Sequence, residues 1–371
     1  MTDARLTSLA ASLPATVPFT GPETIERRQG RVFDLRLGAN ENGFGPSPRA
    51  IAAMQQAASR AWCYGDPEVH DLKRALAAHH GCAVENIVIG EGIDGLLGLL
   101  VRLTVDKGDA VVSSFGGYPT FNFHVAGFGG VLHTVPYEGN HEDPQALVAK
   151  AAEVGAKLVY FANPDNPMGT WHPAATVKAM VEAVPAGALL VLDEAYVELA
   201  PAGTAPEIDP DDTRVIRFRT FSKAHGLAGL RVGYAIGPRD LIAAFDRVRN
   251  HFGLGPVAQA GALAALQDTE WQAAMQANVA TARDSLYAMA RANGLTPIPS
   301  GTNFVTMDCG RDAAFAVAIL NAFAARGVFI RKPGVAPHDR CIRISCGTPH
   351  QMAALAALFP KVMAEVTNPA I

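Results

Sequence analysis

Charge is sparse in this chain: Asp, Glu, Lys and Arg make up only 18% of its 371 residues. Roughly a quarter is ordinary, so the shortfall argues against a disordered polyelectrolyte and for a large buried core. Cations are not in excess either, since the formal net charge is −4 and no long Lys/Arg run occurs. Phosphate-backbone binding needs clustered Lys and Arg, which excludes nucleic acid as a partner. Cysteine is scarce. The five present (Cys63, Cys82, Cys309, Cys341, Cys346) are odd in number and lack metal-ligand spacing, which reads as reduced thiols in a cytoplasm. The histidines are scattered, and the pair His79-His80 reads as the cationic end of a helix before Gly81 rather than a metal site. Long apolar runs are missing too. Every such stretch is broken before the ~18 residues a membrane span needs. The opening stretch, with Asp3 and Arg5 ahead of broken Ala/Pro sequence, makes a poor signal peptide.

Apolar residues are plentiful at 49%, together with 35 Gly and 25 Pro. Short apolar runs alternate with Ala-rich helical patterns such as 144–154 and 173–184. The runs read as strands over 86–90, 110–113, 131–136, 157–162, 188–193, 215–219 and 232–236. Runs of this kind, bounded by Gly and Pro, imply an α/β fold with a mainly parallel sheet covered by helices on both faces. The texture changes after about residue 245. A long helical region, 256–292, leads to a second, smaller α/β unit with strands expected at 303–308, 328–331 and 341–346. The reading is therefore an N-terminal arm over 1–33, a large domain over 34–245 and a small C-terminal domain over 246–371. Arg27, Arg28 and Arg31 read as a solvated face of that arm, and Phe121 and Phe123 as core.

Three segments carry chemistry. Residues 219–234 read RTFSKAHGLAGLRVGY, with Lys223 just after a strand. An ordinary lysine, with a pKa near 10.4, is the free amine about once in a few thousand at pH 7. Burial or a nearby cation raises that fraction and makes the amine a Schiff-base nucleophile. Thr220, Ser222 and Arg231 could meanwhile hold a phosphate dianion. Residues 191–198 read VLDEAYVE, leaving the end of an apolar strand, where open α/β sheets bind ligands. Asp193 could pair there with a protonated heteroaromatic nitrogen, and Tyr196 would face the same site. Residues 163–170 read NPDNPMGT, a rigid double Asn-Pro turn able to aim an amide at a phenolate oxygen.

In their order and spacing, these segments resemble the fold-type I aminotransferases that use pyridoxal 5'-phosphate. Within that family the chain is most similar to the histidinol-phosphate aminotransferases. ANENGFGPSP (39–48), YGDP (64–67), GTNFV (301–305) and RISCGTPHQM (343–352) look like that group's further signatures. The resemblance implies a seven-stranded-type sheet, histidine biosynthesis, and transfer from histidinol phosphate to 2-oxoglutarate to give imidazole acetol phosphate and glutamate. It makes Lys223, Asp193 and Tyr196 catalytic. Lys223 would hold the cofactor and shuttle the proton, and Asp193 would pair with the pyridinium nitrogen. Asn166 and Tyr196 would hydrogen-bond the ring oxygen, and Tyr118 would stack on the ring. Thr220, Ser222, Arg231 and the helix start Gly92, Ile93 and Asp94 would bind the cofactor phosphate. Tyr64 would reach the neighbouring subunit's cofactor phosphate, which implies a homodimer. Arg343 would clamp the substrate carboxylate and Arg331 the substrate phosphate, with Asn42, Phe44 and Asn303 beside them.

The pattern also departs from that group. Phe44 stands where a tyrosine is common, Gly253 replaces an amide in NHFGLG (250–255), and Ile93 replaces a small residue. Phe44 leaves an aromatic amino acid open as an alternative donor. A lyase on the same scaffold, of the threonine-phosphate decarboxylase kind, shares every cofactor residue. A non-catalytic cofactor-binding module of a transcription regulator would need a helix-turn-helix segment, and none is found.

Overall fold

The computed structural model describes residues 5–15 and 20–368, so residues 1–4 and 16–19 of the expected arm lie outside the described residues. Strand β1 (Leu35–Arg36) comes first and pairs with a distant segment. Seven strands then build the main sheet: β2 (Ile87–Gly90), β3 (Ala110–Ser114), β4 (Val131–Val135), β5 (Leu158–Ala162), β6 (Leu189–Asp193), β7 (Val215–Thr220) and β8 (Gly233–Ile236). Each lies within a residue or two of an apolar run read from the sequence. Their order is β2-β8-β7-β6-β5-β3-β4, parallel throughout except for β8, which is antiparallel to both neighbours.

Both faces of this sheet are buried, which explains the unbroken apolar runs. Leu158 and Tyr160 of β5 pack on one side with Leu96, Leu100 and Phe121, while Val159 and Phe161 pack on the other with Leu147, Val177 and Val181. The covering helices start where local chemistry tells them to. Asp143 accepts from the amides of Gln145 and Ala146, Pro144 takes the first turn, and left-handed Gly155 ends the helix Pro144–Val154.

The C-terminal part holds an antiparallel sheet of β9 (Thr296–Pro297), β10 (Phe304–Asp308) and β12 (Cys341–Ser345), in the order β12-β10-β9. Strand β11 (Val328–Phe329) pairs in parallel with β1. The helical region expected over 256–292 is two helices, Pro256–Gln267 and Thr269–Ala292, because Asp268 leaves helical geometry and caps the second through the Trp271 amide. Packing crosses residue 245 in both directions. Ala258, Ala262 and Leu266 pack with Ala50, Leu72 and Phe221, whereas Leu35 and Leu37 pack with Ile319, Ile344 and Leu355. No helix among the described residues is long and apolar enough to cross a membrane.

Two surface readings change. Phe121 is fully buried, but Phe123 is 52% exposed, since helix geometry turns it outward two positions later. His79 and His80 do close the helix His70–His80 before Gly81, yet burial disfavours the cationic form of both. Burial and the nearby Arg219 lower both, His80 to about 3, and His80 Nε2 pairs with the Tyr234 hydroxyl at 2.9 Å.

Candidate active site

A cavity of about 840 Å³ opens at the carboxyl ends of the parallel strands, where an α/β sheet places its ligands. Four of these strands deliver a chemical group at or just past the last residue. After β3 comes the turn carrying Tyr118, after β5 the turn carrying Asn166, at the end of β6 Asp193, and after β7 Ser222 and Lys223. Ile93, Asp94, Thr220, Tyr196, Arg231, Arg331 and Arg343 line the same space.

Lys223 Nζ donates to the Asn40 main-chain carbonyl at 3.1 Å and lies 5.5 Å from the Tyr196 ring centroid. Burial, helped by the positive charges of Arg343 and Arg231, lowers its pKa to about 8. About one amine in ten is then uncharged at pH 7, several hundred times the ordinary fraction. Asp193 accepts from the Tyr160 hydroxyl at 2.6 Å and from the Ala195 amide at 2.9 Å. Burial raises it to about 6 against those two donors, so it is mostly ionised at neutral pH. Its neighbour Glu194 has a different task. Although burial opposes ionisation, Arg219 and Arg217 hold Glu194 at about 2 in a buried ion cluster outside the cavity.

One end of the cavity suits an anion. The helix Gly92–Thr104 has no side chain capping its first turn, so its leading N–H groups remain available. Arg231 leans across that start and donates to Ser222 Oγ at 3.3 Å, and Thr220 Oγ1 lies 3.0 Å from the same hydroxyl. Gly92 sits at φ +78°, and a Cβ there would stand 3.0 Å from Arg231 Cζ, so glycine makes the approach possible. Gly233 does the same from β8, where a Cβ would meet the Ile93 amide at 2.6 Å.

The other end is lined by two arginines. Arg331 and Arg343 are directly opposed, with Arg331 N donating to Arg343 O at 3.1 Å. Arg343 donates to Asn166 Oδ1 and to Gly38 O, and its buried Nε has no partner among the described residues. Burial lowers Arg343 to about 10. Arg331 Nη2 donates to Thr20 O at 2.7 Å, so the N-terminal segment reaches the mouth of this site.

A family model supplies the deciding comparison: the one for aminotransferase class I and II matches residues 34–359. The chain belongs to that family. Among curated aminotransferases it is similar to the histidinol-phosphate aminotransferase of Roseiflexus castenholzii, 36% identical over 95% of this chain and 96% of that one. The corresponding protein of Moorella thermoacetica is 32% identical over 95% and 92%. Among solved aminotransferases, the histidinol-phosphate aminotransferase of Sinorhizobium meliloti in complex with pyridoxal-5'-phosphate superposes with a TM-score of 0.95. It is 51% identical, covering 98% of this chain and 99% of that one.

Not every residue singled out in the sequence reaches the cavity. Asn42 Nδ2 donates to the Lys223 carbonyl at 3.0 Å, and Asn303 Nδ2 to the Asn40 carbonyl at 3.0 Å, so both brace backbone. Phe44 packs against the C-terminal core and lines a separate apolar pocket of about 430 Å³. Tyr64 is 79% exposed, its ring tilted against Phe252 with centroids 4.6 Å apart. Gly253 is explained locally, since a Cβ there would run into the Glu91 carboxylate. Two contributors were missed. Asn40 donates to the Tyr196 hydroxyl at 3.0 Å from a left-handed backbone, and Tyr160 supports Asp193. A tyrosine inside the buried run KLVYFA needs a partner for its hydroxyl, which was the available signal.

Proposed function

We propose that this chain is a pyridoxal-phosphate-dependent histidinol-phosphate aminotransferase of histidine biosynthesis, with 2-oxoglutarate as acceptor. The observation that carries the donor assignment is the opposed pair Arg331 and Arg343 lining one cavity. Like charges directly opposite destabilise a strand pair, so such a pair is suited to a ligand of double negative charge. Histidinol phosphate has no carboxylate; its phosphate dianion takes the place that the acceptor's carboxylate takes in the second half-reaction. A guanidinium fork meets either group through paired hydrogen bonds. An aromatic amino acid brings one negative charge, and Phe44, which favoured it, lies outside the cavity.

The cofactor fits the residues present. The uncapped helix start at Gly92 with Arg231 and Ser222 suits its phosphate, Asp193 its ring nitrogen, and Asn166 and Tyr196 its ring oxygen. Bound there, pyridoxal phosphate supplies a sink for the electron pair left at Cα when the proton departs. Lys223, as a free amine, would take that proton and carry it within the site. Tyr118 lines the cavity where it would cover the ring face, and Asn40 holds Tyr196 and Lys223 in register.

The chain acts as a cytoplasmic homodimer. Trp62 at 86% and Tyr64 at 79% exposure, beside Phe252, form an aromatic patch suited to a second copy. Tyr64 reaches the partner's anion site from that patch.

The test is a donor screen with 2-oxoglutarate: histidinol phosphate, phenylalanine, tyrosine and histidine at matched concentration, read as glutamate formed. Histidinol phosphate should lead. Phenylalanine ahead by more than about tenfold in kcat/KM overturns the assignment. Carbon dioxide release without glutamate would mark a lyase instead.

A further inference from the structure

Two buried acids, Glu142 and Asp165, lie outside every role described so far. Asp165 is the residue before Asn166 in the NPDNPMG turn, and Glu142 precedes Asp143, the cap of the helix Pro144–Val154. Each is 2% exposed, and the two carboxyls are within hydrogen-bonding reach of one another. Asp165 is well supplied with donors. The Tyr137 hydroxyl reaches Oδ1 at 2.9 Å and the Met168 amide reaches Oδ2 at 2.9 Å.

Glu142 is not supplied. Neither of its carboxyl oxygens has a well-formed hydrogen bond among the described residues, although the Ser114 hydroxyl and the Ala162 amide face it. Contact between two carboxyls with no hydrogen between them is repulsive, and in a dry interior two such charges do not persist side by side. One proton removes the repulsion and places a donor between the two carboxyls.

We propose that Glu142 and Asp165 hold one proton between them, with Glu142 as the acid donating to Asp165, and that this bond fixes the turn presenting Asn166. Glu142 is thus a positioning residue. It packs beneath a second functional turn as well, since a Cβ on Gly117, next to Tyr118, would stand 3.7 Å from Glu142 Oε1. The turn's far side is tied to β10 by Thr306 Oγ1 donating to Pro167 O at 2.6 Å.

The surrounding groups agree with a neutral acid. Tyr137 and Tyr160 are hydroxyls kept protonated by burial. His338 meets Tyr137 edge-on, with ring centroids 5.1 Å apart, and pairs with Gly139 O, and His172 pairs with the Glu142 main-chain carbonyl, its ring 5.5 Å from His141. The cation bearing on the pair is Arg343, through Asp165, and Arg343 is already engaged with Asn166. Burial accordingly pushes Asp165 to about 6 and Glu142 well above the carboxylate range.

The shared proton does not depend on which donor the cavity takes; only its link to Asn166 rests on the proposed cofactor role. Its test therefore avoids turnover. Infrared spectra of the holoenzyme are taken at about pH 8, where ordinary carboxyls are ionised. Wild type minus Glu142→Gln should show a protonated-carboxyl C=O band, and carboxylate bands alone would overturn the proposal. Melting gives a second readout. Glu142 stays protonated when folded and ionises when unfolded, so it lowers stability progressively as pH rises above about 4.5, and glutamine does not. The Tm difference, Glu142→Gln minus wild type, should grow from about pH 5 to about pH 8. A difference independent of pH overturns the proposal. If Glu142→Gln does not fold, Asp165→Asn carries the infrared test, because the Glu142 acid then faces a neutral amide in place of a carboxylate acceptor and its C=O band should shift. A band unmoved in that variant, or absent from the wild type, is the contrary result.

Discussion

The Tyr160 hydroxyl donates to Asp193 Oδ2 at 2.6 Å across the neighbouring strands β5 and β6. Burial holds Asp193 at about 6, and Tyr160 is the first of the groups pulling that value down. Tyr160→Phe removes a hydrogen bond that favours the carboxylate, so the pKa rises and more acid is neutral at any given pH. The acid limb of kcat/KM should move upward by about 0.5–1 pH unit. A pH–rate profile whose acid limb stays in place would count against Asp193 as the ring-nitrogen partner.

Lys223→Ala removes the amine that lines the cavity just past the end of β7, while the cavity's other lysine, Lys332, is held by the Pro333 and Asp339 carbonyls. The variant should lose the visible absorbance that borohydride bleaches in the wild type. Turnover should fall by at least about 100-fold, the lower range for losing a positioned general base. A reducible band surviving in the variant would mean that another lysine holds the cofactor.

Gly92→Ala puts a methyl group at φ +78° and against Arg231. Strain of this kind costs about 1–3 kcal/mol, and the displaced guanidinium belongs to the anion end of the cavity. Cofactor should wash out of the variant on dialysis with a dissociation constant raised about tenfold or more. Retention equal to wild type would show that this helix start does not carry the phosphate.

Arg343→Lys keeps the charge and loses the fork. With contacts to charged groups worth about 1.5–3 kcal/mol, kcat/KM for 2-oxoglutarate should fall by about 10- to 150-fold. Steady-state kinetics at fixed donor measure this, and a change under about threefold would remove Arg343 from substrate binding.

Most of the architecture was legible because its signals are local. Seven apolar runs bounded by Gly and Pro can be little else than buried strands, and Lys223, Asp193, Asn166 and Tyr118 follow strand ends at once. What escaped depends on partners far along the chain. Asn40 matters through Tyr196, Ser345 and Asn303, and nothing near residue 40 announces them. The two-residue strand β1 exists only because β11 lies beside it. Phe44 packs on the C-terminal core instead of lining the cavity, a partnership that the signature around it does not contain. The disfavoured cationic form of His79 and His80 is likewise a matter of burial, which a helix-end pattern does not contain.

The placement of Asn40 has a mechanical consequence. Ser345 accepts from the Asn40 amide at 3.1 Å and donates its own amide to Leu37 O at 2.8 Å, so residues 37–40 ride on the end of β12. Arg343 lies two residues earlier on that strand and also donates to Gly38. The Arg343 guanidinium and the carbonyl that tethers Lys223 are thus mounted on one lever, and any displacement of that strand end would carry both together.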